Sequence, residues 1–161
     1  MKTRAMIVVF LLMAGTASGG QEGIGLGVIL GEPTGVSFKT WIDSRTAIDA
    51  AAAWSFSEND SFQFHTDYLI HPFDMPKPPE VRGAVSFYFG VGGRVKLKES
   101  KSGNSRNEND DLLGIRFPVG FSHLLAEAPV EFFAELIPVL DVVPDTDADL
   151  NAAIGARYYF K

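Results

Sequence analysis

The chain ends in Leu150-Asn151-Ala152-Ala153-Ile154-Gly155-Ala156-Arg157-Tyr158-Tyr159-Phe160-Lys161. Read with a period of two, this stretch places Leu150, Ala152, Ile154, Ala156, Tyr158 and Phe160 on one face. Asn151, Ala153, Gly155, Arg157 and Tyr159 fall on the other. Such alternation marks a strand with one apolar and one polar surface.

Working back from that strand, seven further segments alternate in the same way, at 23–30, 35–42, 46–56, 61–71, 84–98, 112–125 and 130–143. Turn residues separate them, among them Gly31 and Pro33, Asp43-Ser44-Arg45, Asn59-Asp60 and Glu127-Ala128-Pro129. Ala50-Ala51-Ala52-Ala53 favours a helix by propensity, but turn residues follow soon and the next segment pairs naturally, so a strand is expected. None of the positions on the eight apolar faces is Asp, Glu, Lys or Arg, although 21% of the chain is charged. At that frequency about nine would fall there by chance. The apolar phase is therefore a property of the whole chain.

The opposite phase carries the acids Asp49, Asp67, Glu131, Glu135 and Asp141 and the bases Lys39, Arg94, Lys96, Arg116 and Arg157, with His65 among them. Gly90, Gly92, Gly114, Gly120 and Gly155 are interspersed and leave room for long side chains. Two closed arrangements fit. In one, the apolar face meets lipid and the charged face lines the interior. In a soluble, ligand-binding barrel the faces swap. An eight-stranded interior barely holds its own side chains, and so large an aromatic and aliphatic set would overfill it. The expected fold is all-β: an eight-stranded antiparallel up-and-down transmembrane β-barrel with a polar lumen.

The chain has 161 residues, no cysteine and a formal charge of −6. That length fits one domain. Its acidity argues against nucleic acid, which needs clustered Lys and Arg. Lys2 and Arg4 precede the apolar run 5–14 and the small residues Ala17, Ser18, Gly19 and Gly20, the pattern of a secretory signal peptide. Residues 1–20 are therefore expected to be removed, leaving 21–161 as the barrel domain. Elsewhere no apolar run is long enough for a membrane helix.

With both termini inside, Trp54, Phe56 and Phe62 would lie near the outer rim, and Phe87, Phe121, Phe132, Tyr158 and Phe160 near the inner one. The hydrophilic stretch 99–111 (ESKSGNSRNENDD) would be an external loop. The proline-rich connection 74–83 is long for the inner side. Pro118 and Pro138 fall within strands, where a closed ring has no free edge for a missing N–H. Bulges that flip the local parity are expected there.

Four stretches carry a resemblance: Gly23-Ile24-Gly25-Leu26-Gly27, Phe89-Gly90-Val91-Gly92-Gly93-Arg94, Gly114-Ile115-Arg116-Phe117-Pro118-Val119-Gly120 and Arg157-Tyr158-Tyr159-Phe160. In them the chain resembles the small bacterial outer-membrane β-barrels of the outer membrane protein A and X type, and a poorly characterised group among them. It departs from their pattern in ending on Lys161 rather than on the aromatic. The resemblance implies an outer-membrane location and a structural, envelope-integrity or surface-interaction role. The implied partners are membrane lipids and lipopolysaccharide, the barrel-assembly machinery through the C-terminal strand, and a surface partner through 99–111. A narrow ion-conducting pore is the alternative, and a lipid-modifying enzyme the third.

No cofactor or catalytic site is expected. Gly23-x-Gly25-x-Gly27 lacks the strand before and helix after that a dinucleotide loop needs. The stretch 31–40 lacks the adjacent Gly-Lys-Ser/Thr of a phosphate loop. Ser122 and His123 point to opposite faces of one strand, so they form no nucleophile–base pair. Asp145, Asp147 and Asp149 lack the glycine and terminal glutamate of a calcium loop and read as a solvated acidic loop. His65 and Asp67 share a face, yet a salt-bridged interior is the better account of the charged set.

Overall fold

The computed structural model describes residues 23–32, 34–55, 61–98 and 111–160. The expected signal peptide, Phe56 and nearly all of the 99–111 stretch lie outside them. Nine strands form one antiparallel sheet: β1 (Ile24–Gly31), β2 (Gly35–Trp41), β3 (Thr46–Ser55), β4 (Ser61–Asp74), β5 (Ala84–Lys98), β6 (Leu112–Arg116), β7 (Val119–Leu124), β8 (Val130–Val143) and β9 (Asp147–Phe160). β6 and β7 are two halves of one stave, both lying between β5 and β8. β4 pairs with β5, and β9 pairs with β1, with Ile24 opposite Phe160 and Leu26 opposite Tyr158. The sheet is thus a closed, barrel-like ring of eight staves, and the C-terminal strand closes it.

Alternation sets the two surfaces. Leu26, Val91, Phe121, Leu136 and Ile154 are 46%, 49%, 49%, 56% and 59% exposed. Lys39, Arg116, Glu131 and Arg157 are 0–2% exposed. The polar face is inside and the apolar face outside. The alanine run is extended, because β3 is paired along both edges: Phe38 stands opposite Ala50 on one side and Phe64 opposite Ala52 on the other. Ladder bonds from both neighbours override local helix propensity.

The prolines act differently from the sequence expectation. At Pro118 the stave breaks, since β6 ends at Arg116 and β7 starts at Val119. Parity nonetheless runs on, with Ile115, Phe117 and Val119 exposed and Arg116, Pro118 and Gly120 buried. The missing N–H is a local loss. Pro118 still accepts a hydrogen bond from Gly90 N at 2.8 Å, and Phe117 N donates to Pro138 O at 2.9 Å. β8 continues through Pro138, which lies opposite Leu150.

Parity flips fall instead between Asp141 and Val143 of β8, and between Ile70 and Phe73 of β4. Ile70 stands opposite Phe89 and Phe73 opposite Phe87, so β4 carries one extra residue there. Pro72, with no N–H to give, sits in that bulge. It keeps His71 buried while turning Phe73 outward onto Phe87, with ring centroids 6.0 Å apart.

β9 also starts earlier than the sequence suggested. Asp147 and Asp149 belong to the strand, opposite Asp141 and Val139, rather than to a loop.

Both described chain ends, the 42–45 turn, the 75–83 connection and the 125–129 turn share one end of the ring. The long connection is held there. Arg82 pairs with Glu127 at 2.9 Å, and His123 Nε2 contacts Arg82 O at 2.9 Å. In the 42–45 turn, the Asp43 carboxylate accepts the Thr46 hydroxyl and the backbone N–H groups of Arg45 and Thr46. These bonds, the hydroxyl's first, hold its pKa below the ordinary carboxylate value.

Candidate functional site: the buried charge network

Three clusters fill the interior in levels. The lowest, nearest the chain ends, centres on Glu131. Lys39 Nζ donates to Glu131 Oε1 at 2.8 Å, Tyr159 Oη to Oε2 at 2.9 Å, and Arg157 Nη1 lies 3.3 Å from Oε2. Arg157 also bonds Asp49 through Nη2 and Ser37 Oγ through Nε at 2.8 Å. Its guanidinium carbon lies 3.8 Å from the centre of the Phe133 ring.

The Lys39 ammonium is enclosed by Trp41 at 4.5 Å from the ring centre and by His71 Nε2 at 3.2 Å. An ammonium only donates, so His71 Nε2 is the acceptor. Tyr88 Oη, on the neighbouring strand, donates to Glu135 Oε2 at 2.9 Å.

Above this, Arg116 Nε lies 3.1 and 3.2 Å from the two oxygens of Asp67, and His65 Nε2 lies 3.9 Å from Asp67 Oδ2. At the upper end Arg94 grips Asp141 with Nε at 3.0 Å and Nη2 at 2.6 Å. Arg94 Nη2 also reaches Asp149 at 3.7 Å. With its amide turned, Asn151 accepts from Arg94 Nη1 and donates to Asp149, each at 3.0 Å.

The ring brings together residues far apart in sequence because each cluster spans several staves. Lys39, Asp49, Glu131 and Arg157 come from β2, β3, β8 and β9. Asp67 and Arg116 both face Gly92, from either side of β5. Glycine is required at that crossing: a Cβ on Gly92 would collide with Asp67 Oδ1 and the Thr66 carbonyl. Gly114 likewise yields to Asp141 Oδ1, and Gly120 to the Tyr88 ring. At Gly92 and Gly114 the space is taken by acids, with the Arg94 stem also beside Gly114, and at Gly120 by an aromatic ring.

Among the charged residues singled out in the sequence, Lys96 stands apart, half-buried at the upper end opposite Gln63 and Leu112. Sequence reasoning missed Ser37, Trp41, Tyr88, Phe133 and Tyr159 as members of these clusters. All five have inward parity, and that parity was the signal that could have found them.

Chemically, the arrangement holds charge in place. Each cluster pairs buried cations with carboxylates, and removing one partner of a fully buried pair costs about 3–5 kcal/mol. Ser122 is buried while His123 turns the other way, so they form no nucleophile–base pair. Among the described residues no group of three His, Cys, Asp or Glu is placed to hold a metal ion.

Together the closed antiparallel ring, apolar exterior and charged interior define a barrel-like all-β class. No protein-family model matches the chain, and no curated protein matches its sequence. Among solved structures, the chain is similar to the N-terminal β-barrel domain of OprF from Pseudomonas aeruginosa, with a TM-score of 0.58 and 13% identity. The match covers 88% of this chain and 100% of that one. At this identity the likeness is one of fold.

Proposed function

We propose that this chain is an exported outer-membrane β-barrel protein of structural or surface-interaction type. Its eight staves cross the bilayer, and its interior is plugged by paired charges. The observation that carries this reading is the division of surfaces: large apolar side chains outside, and Lys39, Asp49, Asp67, Arg94, Arg116, Glu131, Glu135, Asp141 and Arg157 buried inside. A soluble protein would pay for that exterior with aggregation, whereas a bilayer requires it, since one outward cation at mid-depth costs about 2–4 kcal/mol.

The Phe73, Phe87, Phe121 cluster and the Tyr158–Phe160 pair, whose ring centres are 4.9 Å apart, lie toward the end that carries Ile24 and Phe160. That is where an aromatic girdle would meet the periplasmic interface. Residues 1–20 serve as the signal peptide, and β9 presents the closing strand to the assembly machinery. Membrane lipids, lipopolysaccharide and a surface partner met through residues 99–111 are the partners of this reading. The role is not enzymatic.

A narrow pore is the second reading, since the lining is charged. The fully buried Arg116 and Lys39 favour the closed form. The test is to refold residues 21–161 into detergent micelles and compare gel mobility with and without boiling, alongside fractionation of the expressing cells. A heat-dependent shift and an outer-membrane fraction are expected, with no single-channel conductance in planar bilayers. A chain soluble without detergent overturns the membrane reading, and stable conductance overturns the plugged interior.

A further inference from the structure

The interior arginines use their donors unequally. Arg157 commits all three nitrogens, to Ser37, Glu131 and Asp49. Arg94 commits Nε and Nη2 to Asp141 and Nη1 to the turned amide of Asn151. Arg116, at 0% exposure, gives only Nε to Asp67. Its Nη1 and Nη2 have no hydrogen-bond partner among the described residues.

Two further nitrogens on the inward face of β4 share that condition. His65 Nδ1 is unpaired, on a ring whose other nitrogen lies 3.9 Å from the same Asp67 carboxylate. Gln63 Nε2 is unpaired two residues along the same inward face of β4. Register draws these residues together, since Asp67 and Arg116 are both opposite Gly92, and His65 is opposite the adjoining inward residue Arg94.

We propose that the Nη1–Nη2 fork of Arg116, with His65 Nδ1 and Gln63 Nε2, forms a buried binding site for a small inorganic anion of the halide class. All four unpaired atoms of this group are nitrogens, and each can present an N–H. The single buried oxygen without a partner among the described residues, Asp49 Oδ1, belongs to a carboxylate held by Arg157. A buried N–H left unmade is destabilising, and two of these nitrogens belong to one guanidinium.

Asp67 already balances the single charge of Arg116, and what remains at the fork is N–H donors without an acceptor. A monatomic anion accepts N–H donors from any direction and adds one charge. A phosphate would bring two or more negative charges beside the Asp67 carboxylate, a halide only one. Burial of Arg116 and His65 also limits the occupant to a small one. The inference goes beyond the envelope role, and it needs only the closed ring.

The test uses the refolded mature chain, in preparations that already show the folded band on gels. Crystals grown in sodium bromide are expected to give an anomalous peak within hydrogen-bonding distance of Arg116 Nη1 and Nη2. In solution, chloride or bromide should raise the urea unfolding midpoint relative to methanesulfonate at equal ionic strength. Arg116→Gln should abolish that halide effect, while Ser37→Ala, which touches a different arginine, should keep it. Where Arg116→Gln does not refold, the wild-type peak and halide effect together decide.

An ordered water at the fork, or a halide effect unchanged in Arg116→Gln, overturns the proposal. A bromide peak without any halide effect marks an adventitious ion only and overturns it equally. Failure to give a folded band bears on the membrane reading instead, so the two failures are distinguishable.

Discussion

Glu131 on β8 and Arg157 on β9 stand directly opposite each other in the register, with Arg157 Nη1 3.3 Å from Glu131 Oε2. The pair ties the last stave to its neighbour at the level where β9 also meets β1. Arg157 then reaches across to Asp49 on β3, so one guanidinium joins three parts of the ring. Arg157→Met should therefore cost more than the pair alone implies. It leaves Asp49 without its cation, while Glu131 keeps Lys39 and Tyr159. The expected loss is about 3–5 kcal/mol, read from urea unfolding in micelles. Ser37→Ala, which removes one bond to the same arginine, should cost about 0.5–1.5 kcal/mol.

Gly92 and Gly93 are adjacent yet face opposite ways, which makes them a paired test of which surface is inside. A methyl group on Gly92 enters the Asp67 carboxylate, whereas one on Gly93 meets only the Gly114 carbonyl at 3.8 Å. Gly92→Ala should destabilise by about 1–3 kcal/mol, and by more if the Arg116 contact is lost. Gly93→Ala should be neutral or stabilise by about 0.4–1 kcal/mol. Equal effects at the two sites would contradict the assigned parity.

That parity was legible in the sequence because a period of two needs no knowledge of the partner strand. It separated Leu26 from Lys39 and Phe121 from Arg116 before any pairing was known. The cross-interior partners were not legible. Whether Arg157 meets Asp49 or Asp141 depends on how far the register climbs around the ring, and no local pattern records that. Pro118 and His71–Pro72 show the same limit. Both are strand prolines, but only the second coincides with an extra residue, because its partner strand offers two residues where β4 has three. The first residues of β9 were hidden too. Asp147 and Asp149 look like loop residues until Asp141 and Arg94 are placed beside them.

The exterior can be probed at Val91, on the outward face of β5 and 49% exposed. In a lipid bilayer Val91→Lys should lower stability by about 2–4 kcal/mol if the residue lies near mid-depth. Its inward neighbours Gly90 and Gly92 are unsuitable controls, so Glu127→Lys, in a water-exposed turn, supplies the comparison. That change loses only the exposed Arg82 pair and should shift stability little. Reversible folding into phosphatidylcholine vesicles, followed by denaturant titration, measures both. A negligible effect of Val91→Lys would mean that this face does not meet hydrocarbon.

At the end carrying Ile24 and Phe160, the 42–45 turn makes a pH prediction whose sign follows from Asp43. Its carboxylate accepts bonds from the Thr46 hydroxyl and from the Arg45 and Thr46 N–H groups, and its pKa is lowered. A lowered pKa means that the ionised form is favoured in the folded turn. Its contribution is complete above the ordinary carboxylate pKa and is lost as pH falls through the folded value. The Arg45 and Thr46 amides should therefore exchange with solvent faster relative to their intrinsic rates as pH drops below that point, while the β2–β3 ladder beyond stays protected. Asp43→Asn should show weaker protection of both amides at neutral pH and no acid-dependent step. Two-dimensional NMR of the folded chain in micelles gives both readings, and a step that persists in Asp43→Asn would assign the titration to another group.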